Sequence, residues 1–318
     1  MNPHVPVIQT DNLSKVYKSR RKEVQALYHL NLTVQQGEIF GYLGPNGAGK
    51  TTTIRLLLDL IRPTKGSAQI FGMDAQRDSV AIHRRLGYLP GELSLWDNLT
   101  GLQVINYICQ IRGKPDTVYA HQLADSLLLD LLVKVRNYSS GNRRKLGLVI
   151  ALMHKPELLI LDEPTNGLDP LIQQTFYELM REIREEGRTV FLSSHILSEV
   201  QAICDRVGIL RNGELKAVER VSDLTHTDFR WVTVQFREPV TPELVAGVPG
   251  VSNITVEDHA LKLRLTGDFD PLLHAISQQY VVDIHVQEPT LEEIFLTFYG
   301  DTTPAVSNYH RTAKEMVS

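Results

Sequence analysis

The stretch GPNGAGKTT, Gly44 to Thr52, constrains this chain more than any other part of it. It places Gly44, Gly49, Lys50 and Thr51 in the spacing G-x-x-x-x-G-K-[ST]. The run EIFGYL before it is short and apolar, as a buried strand is, and TTTIRLLLDLI after it repeats leucine and isoleucine at helical spacing. The context is strand, loop, helix. Glycine suits such a loop because the backbone must turn tightly and bring its N–H groups close to phosphate oxygens. The N-terminus of the following helix points its positive end at the same anion, Lys50 adds a mobile cation, and the Thr51 hydroxyl is suited to Mg²⁺. Gly44, Asn46, Gly47, Ala48, Gly49, Lys50, Thr51 and Thr52 are therefore the expected nucleotide-binding residues.

The 318 residues fit one large domain or two of ordinary size. Apolar and charged contents of 42% and 22% are those of a soluble globular chain. No apolar run reaches the roughly eighteen residues that a membrane span needs. The start MNPHVPVIQTD shows no secretory signal, and a net charge of −4 gives no electrostatic reason to expect nucleic acid as a partner. Cys109 and Cys204 lie far apart in apolar helical patterns without metal-ligand spacing, and read as core thiols.

Residues 7 to 36 read as strands around a basic turn, SAQIFG as a further strand, and the chain then reaches the apolar segment RRLGYLP. Thr100 and Gln103 form a capping box, with Leu99 and Val104 as its hydrophobic staple, so a helix is predicted to start at Gly101. Helical spacing continues over residues 101 to 135, and another helix is expected over 143 to 154, making a helical insertion at about 99–155. Strands alternate with helices from PELLILDEP to GELKAV, which argues for a mostly parallel sheet covered on both faces. A polar connection over 218 to 228 marks a boundary. Beyond it the expected order is β-α-β-β-α-β, with its first helix on PELVAGV, the order of a ferredoxin-like domain over about 228–300. A last helix, TLEEIFLTFYG, and a polar, mobile tail from Asp301 to 318 close the chain. The predicted class is α/β: a P-loop NTPase core at 1–220, with an antiparallel β subdomain and the helical insertion, followed by a small α+β domain.

Four marks narrow the chemistry. In LLILDEP a buried strand delivers Asp162 to its carboxyl end, where it could complete a Mg²⁺ site with Thr51, and Glu163 follows as the group to orient or deprotonate a water. The remaining marks are YSSGN at 138–142, GLDP at 167–170 and SSH at 193–195. At YSSGN the chain resembles the ATP-binding cassette family, whose signature LSGGQ opens a helix followed by basic residues. Ser139 and Gly141 match, whereas Tyr138, Ser140 and Asn142 depart from it. GLDP resembles the family's D-loop, with Asp169, and His195 its switch histidine.

That resemblance implies an ATPase using ATP and Mg²⁺, with Lys50, Glu163 and His195 at the chemistry, Thr51 and Asp162 on the metal, and Ser139, Gly141 and Asp169 at a partner's nucleotide. Tyr17 sits where the family stacks a ring on adenine, and a strand-end tyrosine packed in a core is the rival reading. The family's glutamine after the GYLP-like strand is missing. Gly91 takes its place, so either Glu92 takes over that glutamine's contact to metal and water or the contact is weaker. Members work as dimers, each ATP enclosed by one subunit's phosphate loop and the other's signature. Separate subunits of drug, antibiotic, lipid and polysaccharide exporters often end in a small domain closing with residues like EPTLEEIF, found here at 288–295. The resemblance therefore implies an exporter's ATPase subunit, peripheral on the cytoplasmic face of the membrane, with a second nucleotide-binding subunit and an integral-membrane subunit as partners. ELSLWDNL, 92–99, would either dock that membrane subunit or pack beneath the helical insertion. The alternative is a soluble cassette ATPase of DNA repair or translation. Against it, the chain carries neither a coiled-coil or zinc-bearing insertion nor a second cassette.

Overall fold

The computed structural model describes residues 6–18, 23–113, 117–225 and 229–287, which fall into two compact units, Met1–Thr225 and His226–Ser318. The first unit opens with β1 (Pro6–Lys18), β2 (Glu23–Leu30), β3 (Thr33–Gln35) and β4 (Ile39–Leu43). Next come α1 (Lys50–Leu57), β5 (Lys65–Ile70), β6 (Met73–Asp74), α2 (Ser79–Arg84) and β7 (Leu86–Leu89). The helices α3 (Gly101–Arg112), α4 (Thr117–Ser126) and α5 (Ser140–Leu152) follow. The unit ends with β8 (Leu158–Asp162), α6 (Pro170–Glu185), β9 (Thr189–Ser194), α7 (Leu197–Ile203), β10 (Arg206–Arg211), β11 (Glu214–Arg220) and α8 (Val221–Thr225).

Two sheets result. One has the order β11-β10-β4-β9-β8-β7, and only β11 runs antiparallel to its neighbour. Its strands β4, β8 and β9 are buried at every position, as strands covered on both faces must be. The other sheet, β2-β1-β5-β6 with β3 on β1, is antiparallel throughout. Ile8, Leu13, Leu27 and Ile70 of this second sheet share a core with Phe40, Tyr42, Leu158 and Phe191 of the first and with Ile54 of α1. Register decides the rest. Leu43 lies opposite Ser194, Ser193 opposite Asp162, and Leu161 opposite Leu89, so four parallel strands release their loops along one edge. Cys109 and Cys204 are buried free thiols.

The helical region corrects the expected uninterrupted run to residue 135. Its start is as expected: Thr100 accepts from the Gln103 N–H, and the Gln103 side chain accepts from the Thr100 N–H. After α4, however, Leu128 takes a φ of 52° and the chain leaves the helix. The Asp130 carboxylate captures the Leu132 N–H, while the Leu131 and Val133 carbonyls accept from Leu102 and Gly101. Leu127, Leu129, Leu131 and Val135 are buried all the same, which is why their spacing imitates a helix. The connection expected at 218 to 228 is also more ordered than its polarity implied. β11 continues to Arg220, and α8 starts at a buried Val221 whose N–H donates to the Asp205 carbonyl.

The second unit contains β12 (Phe229–Phe236), β13 (Val251–Glu257), β14 (Ala260–Thr266), α9 (Asp270–Ile276) and β15 (Val281–Gln287). Its sheet is antiparallel in the order β13-β14-β12-β15. Val232, Val234, Phe236, Leu261, Leu263 and Leu265 of the sheet pack against Leu272 and Ile276 of α9. The helix expected on PELVAGV is a single 3-10 turn, Pro242–Leu244. Gly247 and Gly250 at φ 89° and 83°, with Pro249 between them, leave no helical continuation. The predicted last helix, the EPTLEEIF residues and the tail lie outside the described residues.

Candidate active site

The phosphate loop hangs between β4 and α1. Gly44 and Gly49 are there for space: a Cβ on Gly44 would come within 2.4 Å of the Leu210 carbonyl oxygen, and one on Gly49 within 2.6 Å of that of Ala26. Gly49 caps α1 at φ 113°, a conformation costly for any residue with a Cβ. Pro45, Asn46 and Gly47 face solvent, whereas Ala48 is buried. Lys50, only 6% exposed, donates from Nζ to the Gly44 and Pro45 carbonyls at 2.6 and 3.3 Å and lies 3.2 Å from Glu163 Oε1.

Opposite the loop, the register of β8 and β9 assembles an oxygen cluster. Asp162 is 1% exposed and accepts from Thr51 Oγ1 at 2.9 Å and from Ser193 Oγ at 2.5 Å, one hydroxyl on each carboxylate oxygen. Glu163 holds a φ of 51°, where a non-glycine residue costs of order 1–3 kcal/mol. Its N–H donates to the Ser193 carbonyl at 3.1 Å and to Ser193 Oγ at 3.2 Å, and these bonds help to hold the strained turn. The turn sends the side chain between two bases. Oε1 faces Lys50, and Oε2 lies 2.7 Å from Nδ1 of His195, whose ring is 41% exposed. Lys50, Thr51, Asp162, Glu163 and His195 thus meet at one point, drawn from the start of α1, the end of β8 and the turn after β9.

Three supporting residues escaped the sequence reading of the site. Ser193 is the second hydroxyl on Asp162. Glu199, 4% exposed, accepts from Thr165 Oγ1 and, at 2.5 Å, from Ser194 Oγ, and burial raises its pKa above the usual carboxylate range. Arg144, 5% exposed on α5, donates from Nε to the Pro164 carbonyl at 3.2 Å and from Nη1 to those of Pro90 and Gly91 at 2.5 and 3.2 Å. Its Nη2 donates to the carbonyls of Asp162 and Glu163. Burial lowers its pKa, and the Asp162 and Glu163 charges oppose that shift. The signal available for Arg144 was the basic run after YSSGN, but a backbone carbonyl leaves no mark in a sequence.

The signature residues form a second group. Ser139 caps α5, its Oγ accepting from the Asn142 N–H at 3.1 Å, and remains exposed. Tyr138 is buried and donates its hydroxyl to the Asp130 carbonyl at 2.5 Å. A Cβ on Gly141 would lie 2.8 Å from the Gly167 carbonyl oxygen, so this turn abuts the GLDP loop of its own chain. Asp169 caps α6 through the Ile172 N–H at 3.0 Å. Among the described hydrogen bonds and ion pairs, none joins Ser139, Gly141, Asp169, Tyr17 or Glu92 to the Lys50 group. Tyr17, next to the last residue of β1, is 39% exposed, with the Lys15 ammonium 5.2 Å from its ring centroid. Glu92 is exposed, and Gly91 lies beside Asp162, where a Cβ on it would come 3.1 Å from Oδ2. In ELSLWDNL the side chains divide. Leu93 packs against Gly147 of α5, and Trp96 is 47% exposed, edge-on to Tyr107.

A glycine loop at a helix start, with a lysine and a threonine opposite two successive acids, defines a phosphate-loop NTPase. The comparisons narrow that class. The family described as ABC transporter matches residues 27–166. The bacitracin transport ATP-binding protein BcrA of Bacillus licheniformis is 41% identical over 212 residues, 66% of this chain and 68% of that protein. BcrA of Enterococcus faecalis is 30% identical over 304 residues, 92% of this chain and 96% of its own. The linearmycin resistance ATP-binding protein LnrL of Bacillus subtilis (strain 168) is 29% identical over 312 residues, covering 93% and 99%. Among solved structures, an ATP-binding subunit of an ABC transporter superposes with a TM-score of 0.62 at 30% identity, over 69% of this chain and 91% of that one. A dimeric cassette in a post-hydrolysis state with ADP and Pi matches in fold, with a TM-score of 0.63 at 23% identity over 67% and 98%. The chain belongs to the ABC transporter family as an ATP-binding subunit, and it is an ATPase. Among the described residues no helix is long and apolar enough to cross a membrane.

Proposed function

We propose that the chain powers export through a separate integral-membrane subunit, at the cytoplasmic face of the membrane, by closing on ATP as a dimer and opening after hydrolysis. The observation that carries this is the meeting of Lys50, Thr51, Asp162, Glu163 and His195 at one edge of the parallel sheet. Its relatives named for bacitracin transport and linearmycin resistance support an export role. Among the described hydrogen bonds and ion pairs none joins the exposed Ser139 to that edge, which supports a signature that serves another subunit's nucleotide.

In this reading the loop N–H groups and Lys50 hold the β- and γ-phosphates. A hydroxyl and a carboxylate in contact are hard oxygen ligands, so the Thr51–Asp162 pair fits Mg²⁺ and would hold it. Held by Thr51 and Asp162, the ion would supply positive charge against that developing on the transferred phosphoryl group. Glu163 accepts a proton from the attacking water. His195 orients Glu163 through Nδ1 and, when both ring nitrogens are protonated, donates from Nε2 to the γ-phosphate. Ser139 and Gly141 present their helix start to the partner's γ-phosphate, Asp169 contributes its loop, and Tyr17 stacks on adenine. The second unit is ferredoxin-like in this reading. Its element order and its sheet order β13-β14-β12-β15 support that class, even with the first helix reduced to one turn.

Glu163→Gln provides the test. Hydrolysis is expected to fall about 10³-fold while MgATP binding changes by less than about three-fold. Turnover at the unmutated rate would remove Glu163 from its role and with it this reading of the site.

A further inference from the structure

We propose that Arg144 is a positioning residue that ties each subunit's signature to that subunit's own catalytic edge, so that hydrolysis at one nucleotide is felt at the other. The proposal rests on the dimer described above.

The five N–H groups of a guanidinium match five acceptors here: the carbonyls of Pro90, Gly91, Asp162, Glu163 and Pro164. These acceptors lie at the last residue of β8 or just beyond the ends of β7 and β8, beside or beyond the last pairings, Leu89 with Leu161 and Asp162 with Ser193. The sheet leaves them for other donors, and that of Glu163 also accepts from the Asn166 N–H at 3.2 Å. The donor stands on the opening turns of α5, the helix whose first residues are the signature and whose cap is Ser139.

One buried side chain therefore joins three functional segments. Asp162 and Glu163 carry the carboxylates that face Thr51, Lys50 and His195. Pro90 and Gly91 open the loop that leads to the exposed Trp96. The third segment, α5, presents Ser139 and Gly141, and a second, side-chain-free contact, Gly141 against the Gly167 carbonyl, holds the same pair of elements together. In a dimer these segments serve two different ATP molecules. A shift in the Glu163 backbone after phosphate loss would drag on Arg144 and move the signature away from the partner's nucleotide. Lysine keeps the charge but has three donors on one point, so at least two of the five bonds are lost.

Mixed dimers test this. Glu163→Gln in one subunit leaves a single hydrolysing site. Arg144→Lys is then placed either in the subunit giving Glu163 to that site or in the subunit giving it Ser139 and Gly141. Coupling predicts that turnover falls about ten-fold for both placements, with KM for ATP within about two-fold, because Arg144 touches no phosphate-binding group. A fall for the first placement alone, or for neither, overturns the proposal. If the lysine variant does not fold, Arg144→Gln keeps two N–H donors and is read by the same two placements. Sedimentation of the Glu163→Gln chain with MgATP separates the two ideas. Without ATP-dependent pairing the dimer reading fails and takes this proposal with it, whereas pairing followed by a fall in one placement overturns the coupling alone.

Discussion

The two ends of the six-stranded sheet are made by the same strands and both carry charge, yet they spend it in opposite ways. At the amino end each acid has a base of its own. Arg85 grips Glu157 with Nε and Nη2 at 2.7 and 2.6 Å, Arg206 meets Glu38 at 3.2 Å, and Arg188 meets Glu186 at 2.6 Å. At the carboxyl end charge is crowded. Glu163 is shared by Lys50 and His195, and the described hydrogen bonds of Asp162's carboxylate come from hydroxyls, with no cation among them. The difference teaches how to tell a structural charge from a functional one. Charge balanced pair by pair holds loops in place, whereas groups gathered from several elements onto one point are arranged for a ligand.

Substitutions at the two ends should separate just as clearly. After Glu163→Gln, the largest effect is expected for Asp162→Asn, which keeps the shape but removes the hard anionic oxygen: kcat should fall by about 10²–10³ in a steady-state assay with Mg²⁺. An unchanged kcat would place the ion elsewhere. Lys50→Ala removes a charge-assisted contact worth about 1.5–3 kcal/mol, so nucleotide affinity measured by fluorescence titration should drop roughly 10–100-fold. A change below about two-fold would refute the assigned phosphate contact.

The amino end should respond in stability alone. His154 precedes β8, with Nε2 3.1 Å from the Leu86 carbonyl, and burial, assisted by the Arg112 charge, lowers its pKa from 6.5 to about 4. Between those values the unfolded chain binds more protons than the folded one. Its contribution is therefore intact above pH 6.5 and is lost as the pH falls toward 4. After allowance for partial solvent access the loss is about 2 kcal/mol. Urea midpoints from pH 7.5 to 4.5 should fall less steeply for His154→Gln than for the parent, and identical slopes would dismiss the residue. The smallest effect belongs to Arg85→Ala. A half-exposed pair and a guanidinium 3.9 Å from the Phe71 ring centroid are together worth about 1 kcal/mol, visible in thermal melts with ATPase activity unchanged. Lost activity in that variant would erase the contrast between the ends.

What could be read in advance follows the same divide. The phosphate loop was legible because its backbone geometry demands particular residue types at fixed positions, and Asp162 and Glu163 because a buried strand ending in two acids has few other uses. The capping box at Thr100 was legible because both of its partners are side chains. Residues 127–134 were misread because burial imposes apolar spacing on an irregular segment as readily as on a helix. PELVAGV was misread because Gly247, with Pro249 and Gly250 just beyond, outweighed its propensity. Arg144 and Glu199 stayed hidden for another reason. Their acceptors and donors are carbonyls and hydroxyls brought close only by the register of β7, β8 and β9, and no local pattern reports that register.

The account rests on two subunits facing each other across ATP, and thiol crosslinking reads that contact directly. Both native cysteines are buried, whereas Asn46 and Ser140 are exposed. One population of the full chain would carry Asn46→Cys with Glu163→Gln, and a second Ser140→Cys with Glu163→Gln. Mixed with MgATP and a short bifunctional thiol reagent, the two should form a crosslinked dimer that disappears when nucleotide is withheld. A yield that is the same with and without ATP, or no crosslink at saturating ATP, would contradict the account.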